Sequence, residues 1–174
     1  MTFTRRPDDT DLERLARRLG EVLRERQWRL ATAESSTGGL IGHAITMIPG
    51  ASDYYRGGVI CYSNLAKEVG LGVPHELIAE HGAVSPEVAA AMATGAAHRF
   101  SAELGVSVTG IAGPDGGSEA KPVGTHFLGV ARPGHPARIE QLLLTHDREG
   151  NKAAAAMAAM ELALDEVAVA SAVH

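Results

Sequence analysis

The feature that most constrains the fold of this chain is the alternation of helical segments with short apolar runs that favour β-strands. Residues 10–26 place leucine, alanine and valine side chains on one face at helical spacing, and residues 58–62 form a β-rich run, GVICY. Alternation of this kind is typical of a sheet with helices on both faces. We therefore expect a three-layer α/β/α sandwich with a mixed, mostly parallel sheet of about five strands.

The same patterns place the remaining elements. The periodicity predicts further helices over residues 37–48, 74–80, 86–103 and 151–169, and further strands over residues 28–33, 105–111, 125–131 and 138–144. Because the turn sequence RPGHP separates the last two strands, we expect them to form an antiparallel hairpin. Thr10 and Glu13 have the spacing of a capping box, which predicts that the first helix begins at Thr10.

Composition and charge exclude several classes of protein. The chain has 174 residues, of which 45% are hydrophobic and 21% charged, and this favours a single domain over residues 1–174. A lone cysteine, Cys61, excludes an intrachain disulfide framework and a multi-cysteine zinc site. The eight histidines form no HxH or HxxxH pair, so we expect no metal site.

The same data bear on partners and location. A formal net charge of −5 disfavours broad nucleic-acid binding, and no apolar run has the length of a membrane span. The N-terminus lacks the apolar stretch of a secretory signal. We therefore expect a cytoplasmic protein with neither nucleic acid nor membrane as a partner.

Three polar segments follow predicted strands, at residues 33–39 (AESSTGG), 62–67 (YSNLAK) and 109–117 (TGIAGPDGG). Because ligands bind at the carboxyl ends of the strands in open α/β sheets, we expect the three segments to form one site. The turn at 33–39 offers hydroxyl groups as nucleophiles and backbone N–H groups for a phosphate or an oxyanion. The alternative reading is a Ser/Thr helix cap with glycines for close packing.

The other two segments also allow two interpretations. Lys67 falls in the first turn of a helix that begins near Asn64, where a cation opposes the helix dipole, so it is either functional or a solvated surface lysine. The Gly/Pro-rich loop after Thr109 is either functional or a long surface loop. The chain contains no GxxxxGK[ST], GxGxxG or GxSxG motif, so no phosphate loop, dinucleotide fingerprint or nucleophile elbow is indicated.

Taken together, these segments resemble the CinA C-terminal domain family, whose stand-alone form is a nicotinamide-nucleotide amidohydrolase. The resemblance covers most of the chain, from about residue 12 to residue 164, and the matching text reads TAESSTGGLIG, GGVICYSNLAKEVGLGV, HGAVSPEVAAAMATGA and SVTGIAGPDGGSEAKPVGT. The resemblance implies deamidation of nicotinamide mononucleotide to nicotinate mononucleotide and ammonia, in pyridine nucleotide salvage and without a cofactor. It places the nucleophile on Ser35, the catalytic lysine on Lys67 and a second hydroxyl residue on Thr109. This chain has Ser36 where the family often has cysteine.

The implied chemistry sets a condition on the lysine. Lys67 removes a proton from Ser35 only when it is neutral, so its pKa must fall from about 10.4 towards ~7–8 through burial or a nearby cation. We therefore expect Lys67 to be buried. Thr109 is expected to relay a proton or to hold Ser35 and Lys67 in line.

Substrate contacts are expected on both sides of the nucleophile. The backbone N–H groups of Ser36, Thr37 and Gly38 are candidates for an oxyanion hole. Candidates for the phosphate are Arg148, Lys121, Arg56 and the Gly-rich backbone at 113–117, which begins at Gly113. Tyr62 is a candidate for packing against the pyridine ring or the ribose, and Asn64 is a further candidate for substrate binding. Tyr62 is alternatively a core tyrosine.

Two other functions stay open at the level of the sequence. One is a non-catalytic nucleotide- or partner-binding module of the competence and DNA-damage type. The other is an amidase for a different small amide, because the sequence does not define a base pocket. Exposed apolar stripes and alanine-rich helices also suggest a homodimer or a higher homo-oligomer.

Overall fold

The computed structural model describes residues 6–171, which form a five-stranded sheet with helices on both faces. The strands are β1 (Leu30–Glu34), β2 (Tyr55–Ile60), β3 (Leu104–Gly110), β4 (Thr125–Ala131) and β5 (Arg138–Leu143), in the spatial order β2-β1-β3-β4-β5. β1 pairs in parallel with β2 and β3, whereas β4 pairs antiparallel with β3 and β5. Four strands thus run in one direction, which confirms the expected mixed sheet and its terminal hairpin.

In the described part of the chain, six α-helices complete the sandwich. They are α1 (Asp9–Arg26), α2 (Leu40–Thr46), α3 (Asn64–Leu71), α4 (His75–His81), α5 (Pro86–Arg99) and α6 (Arg148–Ser171), with a short 3-10 helix at Ala51–Asp53. The first two helices and α6 pack together on one face of the sheet, and α3, α4 and α5 pack on the other. Each face has its own apolar core, so the three-layer prediction is confirmed.

Three helix starts differ from the prediction, and one is that of α6, which begins at Arg148 rather than at residue 151. The capping box of α1 is formed by Asp8 and Asp11, not by Thr10 and Glu13: the Asp8 carboxylate accepts from the Asp11 N–H at 3.0 Å, and the Asp11 carboxylate accepts in return from the Asp8 N–H. Carboxylates here also complement the positive end of the helix dipole. The predicted helix over 37–48 is confined to α2, because Gly38 and Gly39 adopt left-handed backbone conformations with φ of 67° and 98°.

The far end of α5 also differs. The prediction extended this helix to residue 103, but it ends at Arg99, and Ser101 adopts a left-handed conformation with φ of 48°.

Helix α5 packs very closely against strand β3. A Cβ atom at Gly105 would come within 2.0 Å of the Ala93 carbonyl oxygen. Ser107 on the same strand donates to the Ala89 carbonyl at 2.7 Å, which fixes this contact from a second position.

Within residues 6–171, none of the helices combines the length and the apolar character needed to cross a bilayer.

Candidate active site

The three polar segments meet at the carboxyl ends of β1, β2 and β3. They enclose a cleft of about 170 Å³ lined by Ser35, Ser36, Tyr62, Asn64, Lys67, Ala83, Val84, Thr109, Gly110, Ala112 and Arg148. The residues come from the turn after β1, the start of α3, the loop before α5, the end of β3 and the start of α6. The expected convergence of separate segments is therefore present in the structure.

Ser35 and Lys67 are in direct contact at the base of this cleft. Lys67 Nζ lies 3.1 Å from Ser35 Oγ and donates a hydrogen bond to the Cys61 carbonyl oxygen at 2.9 Å. Lys67 is only 2% exposed and Ser35 8% exposed. The helix that carries the lysine begins at a Ser63 cap, whose hydroxyl accepts from the Ala66 N–H at 3.1 Å. The end of β1 thus fixes the position of Ser35, and helix α3 fixes the position of Lys67.

The surroundings of Lys67 favour its neutral form. Burial lowers the pKa of the Lys67 ammonium below its ordinary value of 10.5, and the neighbouring Cys61 opposes this only in its thiolate form. Burial raises the pKa of the Cys61 thiol to about 11, so the thiol is neutral at physiological pH. Within the described part of the chain, no carboxylate pairs with the Lys67 ammonium. The expectation of a buried lysine with a lowered pKa agrees with this environment.

Glu34, which the sequence analysis did not single out, organises the turn that carries Ser35. Its buried carboxylate accepts four hydrogen bonds: from the Thr37 hydroxyl at 2.8 Å and from the backbone N–H groups of Gly39, Ile41 and Gly42 at 3.0, 3.0 and 2.8 Å. A carboxylate three residues before the predicted helix start at residue 37 is a sequence signal that identifies such a role. Glu34 fixes both ends of the turn relative to β1.

The turn leaves two of the three predicted oxyanion donors available. The Gly38 N–H donates to the Ser35 carbonyl at 3.1 Å, so it is already used. The Ser36 and Thr37 N–H groups have no acceptor among residues 6–171. The Ser36 side chain is 5% exposed, and its hydroxyl likewise has no partner within that range.

Thr109 lines the cleft but holds a different element from the one expected. Its buried hydroxyl donates to the Ala83 carbonyl at 2.7 Å, and no hydrogen bond joins it to Ser35 or Lys67 in the described structure. Ser85 donates to the Gly82 carbonyl at 3.0 Å in the same loop. The contact of Thr109 therefore positions the loop that forms one wall of the cleft.

Arg148 is the cation at the mouth of the cleft. Its guanidinium donates to the Gly113 carbonyl and, at 3.0 Å, to the hydroxyl of Tyr62. Tyr62 is 64% exposed, which excludes the alternative of a core tyrosine. Asn64 lines the cleft beside Tyr62 and is exposed. These side chains form a polar rim around the buried Ser35–Lys67 pair.

The other two candidate cations lie elsewhere. Lys121 Nζ donates to the carbonyl of His81 at 2.9 Å, at the end of α4, and it does not line the cleft. Arg56 is exposed on the edge strand β2 and does not line it either. Arg56 lies near the start of β2, at the end of the strand remote from the carboxyl edge of the sheet, and Lys121 is held at the end of α4, so the structure does not bring these two cations to the cleft.

A second residue that the sequence analysis missed, Asn151, connects the rim to the sheet. Asn151 is fully buried; its side-chain amide donates to the Ala112 carbonyl at 3.1 Å and accepts from the His146 N–H at 3.0 Å. This links the loop after β3 to the first turn of α6, where Arg148 lies. An asparagine inside an alanine-rich helix gives no sequence signal for such a long-range contact.

A larger groove of about 730 Å³ lies at the other ends of the strands from the cleft, between Trp28, Ser101 and Arg132. The Ser35–Lys67 pair is absent from its lining, so the chemistry rather than the volume identifies the smaller cleft as the candidate site. Residues 6–171 contain no group of three or more His, Cys, Asp or Glu side chains placed to hold a metal ion.

Comparisons with known proteins show the family to which the chain belongs. The family model of the CinA C-terminal domain matches residues 12–167. A CinA-like protein of Salinibacter ruber is 50% identical over 144 residues, which cover 82% of this chain and 34% of that protein. A CinA-like protein of Geobacter sp. is 51% identical over 139 residues, covering 80% of this chain and 33% of that protein. The chain thus spans about a third of the length of the curated relatives it matches.

Solved structures are similar over nearly the whole chain. The crystal structure of the competence/damage inducible protein CihA from Agrobacterium tumefaciens has a TM-score of 0.87 at 37% identity, covering 95% of this chain and 99% of that one. A competence-damaged protein (CinA) superfamily protein from Escherichia coli has a TM-score of 0.84 at 33% identity, covering 93% of this chain and 95% of that one.

Proposed function

Because this chain belongs to the CinA C-terminal domain family, we propose that it is an amidohydrolase that deamidates nicotinamide mononucleotide to nicotinate mononucleotide and ammonia. The observation that carries the proposal is the 3.1 Å contact between Ser35 Oγ and the buried Lys67 Nζ. A serine next to a lysine of lowered pKa is an activated nucleophile. An amide is a poor electrophile, so its hydrolysis requires this activation.

The first step forms a tetrahedral intermediate, which becomes an acyl-enzyme only when the C–N bond breaks in the second step. Ser35 Oγ attacks the carboxamide carbon while its proton passes to the neutral amine of Lys67. The electron pair of the carbonyl moves onto its oxygen, and the proposed donors to that oxyanion are the N–H groups of Ser36 and Thr37, which have no acceptor among residues 6–171. Burial lowers the pKa of Lys67 and so favours the neutral amine that this step requires.

The second step releases ammonia and then the acid product. The protonated Lys67 gives its proton to the departing nitrogen as the C–N bond breaks. Water then attacks the ester carbon with Lys67 again acting as the base, and Ser35 recovers its proton. The hydrogen bond from Lys67 to the Cys61 carbonyl keeps the amine in place through both steps.

The rim of the cleft supplies the substrate contacts. Arg148 is a planar cation with several donors, which suits a phosphate, and Tyr62 beside it offers a ring face for the pyridine or the ribose. Asn64 adds an amide at the same rim. These assignments explain why a nucleotide, rather than free nicotinamide, is the proposed substrate.

The test is ammonia release from nicotinamide mononucleotide by the purified chain, with and without a chelator. We expect release that the chelator leaves unchanged and that Ser35→Ala and Lys67→Ala abolish. Arg56→Ala is the matched control for the loss of a cation outside the cleft and is expected to retain wild-type activity. Turnover of free nicotinamide is expected to be far slower, which separates this function from that of a general small amidase.

A folded wild-type protein that releases no ammonia would contradict the proposal. It would favour instead a non-catalytic nucleotide- or partner-binding module, and calorimetry with the same nucleotide would detect such binding.

We further propose a cytoplasmic location, because pyridine nucleotides are intracellular. We also propose a homodimer, because Ile60, Leu65 and Val69 are exposed apolar side chains on β2 and α3. Sedimentation of the purified chain tests the dimer.

A further inference from the structure

Three consecutive hydroxyl side chains follow β1, and they differ in their hydrogen bonding. Ser35 Oγ contacts Lys67 Nζ at 3.1 Å, and Thr37 Oγ1 donates to the Glu34 carboxylate at 2.8 Å. Ser36, between them, is 5% exposed, and its hydroxyl has no hydrogen-bond partner among residues 6–171. Ser36 therefore carries the unpaired hydroxyl of the three.

An unpaired buried hydroxyl is unfavourable for folding. The group loses its hydrogen bonds to water and gains none within the protein. Alanine at position 36 would occupy the same backbone conformation without that loss. Buried polar groups in native structures are nearly always paired, so an exception inside a candidate active site points to a partner that arrives with the substrate.

The position of Ser36 identifies that partner. Ser36 lines the cleft together with Ser35 and Lys67, and it directly follows the nucleophile in the chain. Its backbone N–H is also without an acceptor in the described structure. One residue thus has an N–H and an O–H donor without a partner in the described structure, in the wall of the cleft that contains the nucleophile. A carbonyl oxygen that becomes negative beside Ser35 requires donors of this kind at about 3 Å.

We propose that the Ser36 hydroxyl donates a hydrogen bond to the substrate carbonyl oxygen as this oxygen becomes an oxyanion. The inference rests on the proposed amidohydrolase function. When Ser35 Oγ bonds to the carbonyl carbon, its proton moves to Lys67 Nζ and the π electron pair moves onto the oxygen. The Ser36 O–H then donates to that oxygen and keeps its own proton. The C=O bond re-forms when the C–N bond breaks, and Lys67 gives its proton to the leaving nitrogen, which departs as ammonia.

The test compares Ser36→Ala with a matched control, Ser107→Ala. Both remove one buried hydroxyl, but that of Ser107 is paired with the Ala89 carbonyl at 2.7 Å, away from the cleft. We expect Ser36→Ala to melt at or above the wild-type temperature while its kcat falls by about 100-fold, with KM within about twofold. Ser107→Ala is expected to melt at a lower temperature with kcat unchanged. Ser36→Cys, with its weaker donor, is expected to fall between wild type and Ser36→Ala.

A second measurement tests the role of Ser36 without depending on the identity of the natural substrate. p-Nitrophenyl acetate is an activated ester that acylates reactive serines, and the burst of nitrophenolate and the protein mass report acylation of Ser35. We expect Ser36→Ala to slow this acylation by about 100-fold. If wild-type Ser35 is acylated but nicotinamide mononucleotide is not hydrolysed, the proposed substrate is wrong and the acylation rates alone decide the role of Ser36.

Three results would overturn the inference. The first is that Ser36→Ala acylates and turns over at the wild-type rate. The second is that its activity falls only in proportion to a loss of folded protein, as judged by its melting curve. The third is that wild-type Ser35 reacts with neither compound, in which case the premise of a reactive serine falls and this inference falls with it.

Discussion

Ser35 Oγ and Lys67 Nζ lie 3.1 Å apart although 32 residues separate them in the chain. The contact exists because the end of β1 and the start of α3 meet at the carboxyl edge of the sheet. The same amine donates to the carbonyl of Cys61, one residue beyond the last strand residue of β2. The lysine is therefore held between two neighbouring strand ends, without a carboxylate partner in the described structure.

The pH dependence of the reaction should follow Lys67. Since burial lowers the pKa of Lys67, the fraction of neutral amine, and with it kcat/KM, should rise with pH and reach a plateau below the ordinary value of 10.5. Initial rates of ammonia release between pH 5 and pH 10 measure this limb. Lys67→Arg keeps the charge but cannot supply a neutral base, so it should be inactive across the range. A rate independent of pH would contradict the assignment of Lys67 as the base.

Glu34→Gln should weaken both folding and activity. The amide retains one acceptor oxygen but places an NH₂ group against N–H donors that now bond to the carboxylate, so we expect a loss of about 2–4 kcal/mol in the free energy of unfolding. Urea unfolding measures it. Glu25→Gln, at an exposed position on α1, is the control and should change the free energy by less than about 0.5 kcal/mol. Equal stabilities of the two variants would show that the carboxylate does not secure the turn.

Arg148→Ala should affect substrate binding more than chemistry. If the guanidinium binds the phosphate, KM for nicotinamide mononucleotide should rise by at least about tenfold while kcat changes by only a few fold. Nicotinamide riboside, which lacks the phosphate, provides the control substrate, and its poorer kinetics should be the same for wild type and variant. An equal loss on both substrates would mean that Arg148 acts through Tyr62 or Gly113 instead.

His126 should make the fold less stable in mild acid. Burial lowers the pKa of this imidazole in the folded state, so the unfolded chain takes up a proton first as the pH falls below the ordinary value of 6.5. The free energy of unfolding should therefore decrease from that pH downwards until the folded-state pKa is reached. Melting curves of wild type and His126→Gln between pH 5 and pH 8 isolate the effect.

The comparison of wild type with His126→Gln also removes the contribution of His75, whose effect on stability has the opposite pH dependence. The pKa of exposed His75 is raised by its hydrogen bond to Glu68, so His75 contributes stability at low pH that is lost as the pH rises. This contribution is common to both proteins and cancels in the difference. A difference between wild type and His126→Gln that does not vary with pH would contradict the role of His126.

The order of elements and the layering follow from the sequence because hydrophobic periodicity is local. The face of α1 and the short strands β3 and β4 can be read from the spacing of their apolar residues. The segment that carries Ser35 and the helix that carries Lys67 are also visible, since each follows a strand. The start of α2 was missed because Gly38 and Gly39 adopt a conformation that periodicity does not report.

By itself, the sequence determined which segments carry polar groups to the carboxyl edge of the sheet, and it determined the family resemblance. Only the tertiary structure decided which of those groups meet. It brought Ser35 to Lys67, gave the Thr109 hydroxyl to the Ala83 carbonyl and took Lys121 to His81. Hydrogen-bond partners and burial depend on contacts between residues distant in the chain, and a local pattern carries no information about those contacts.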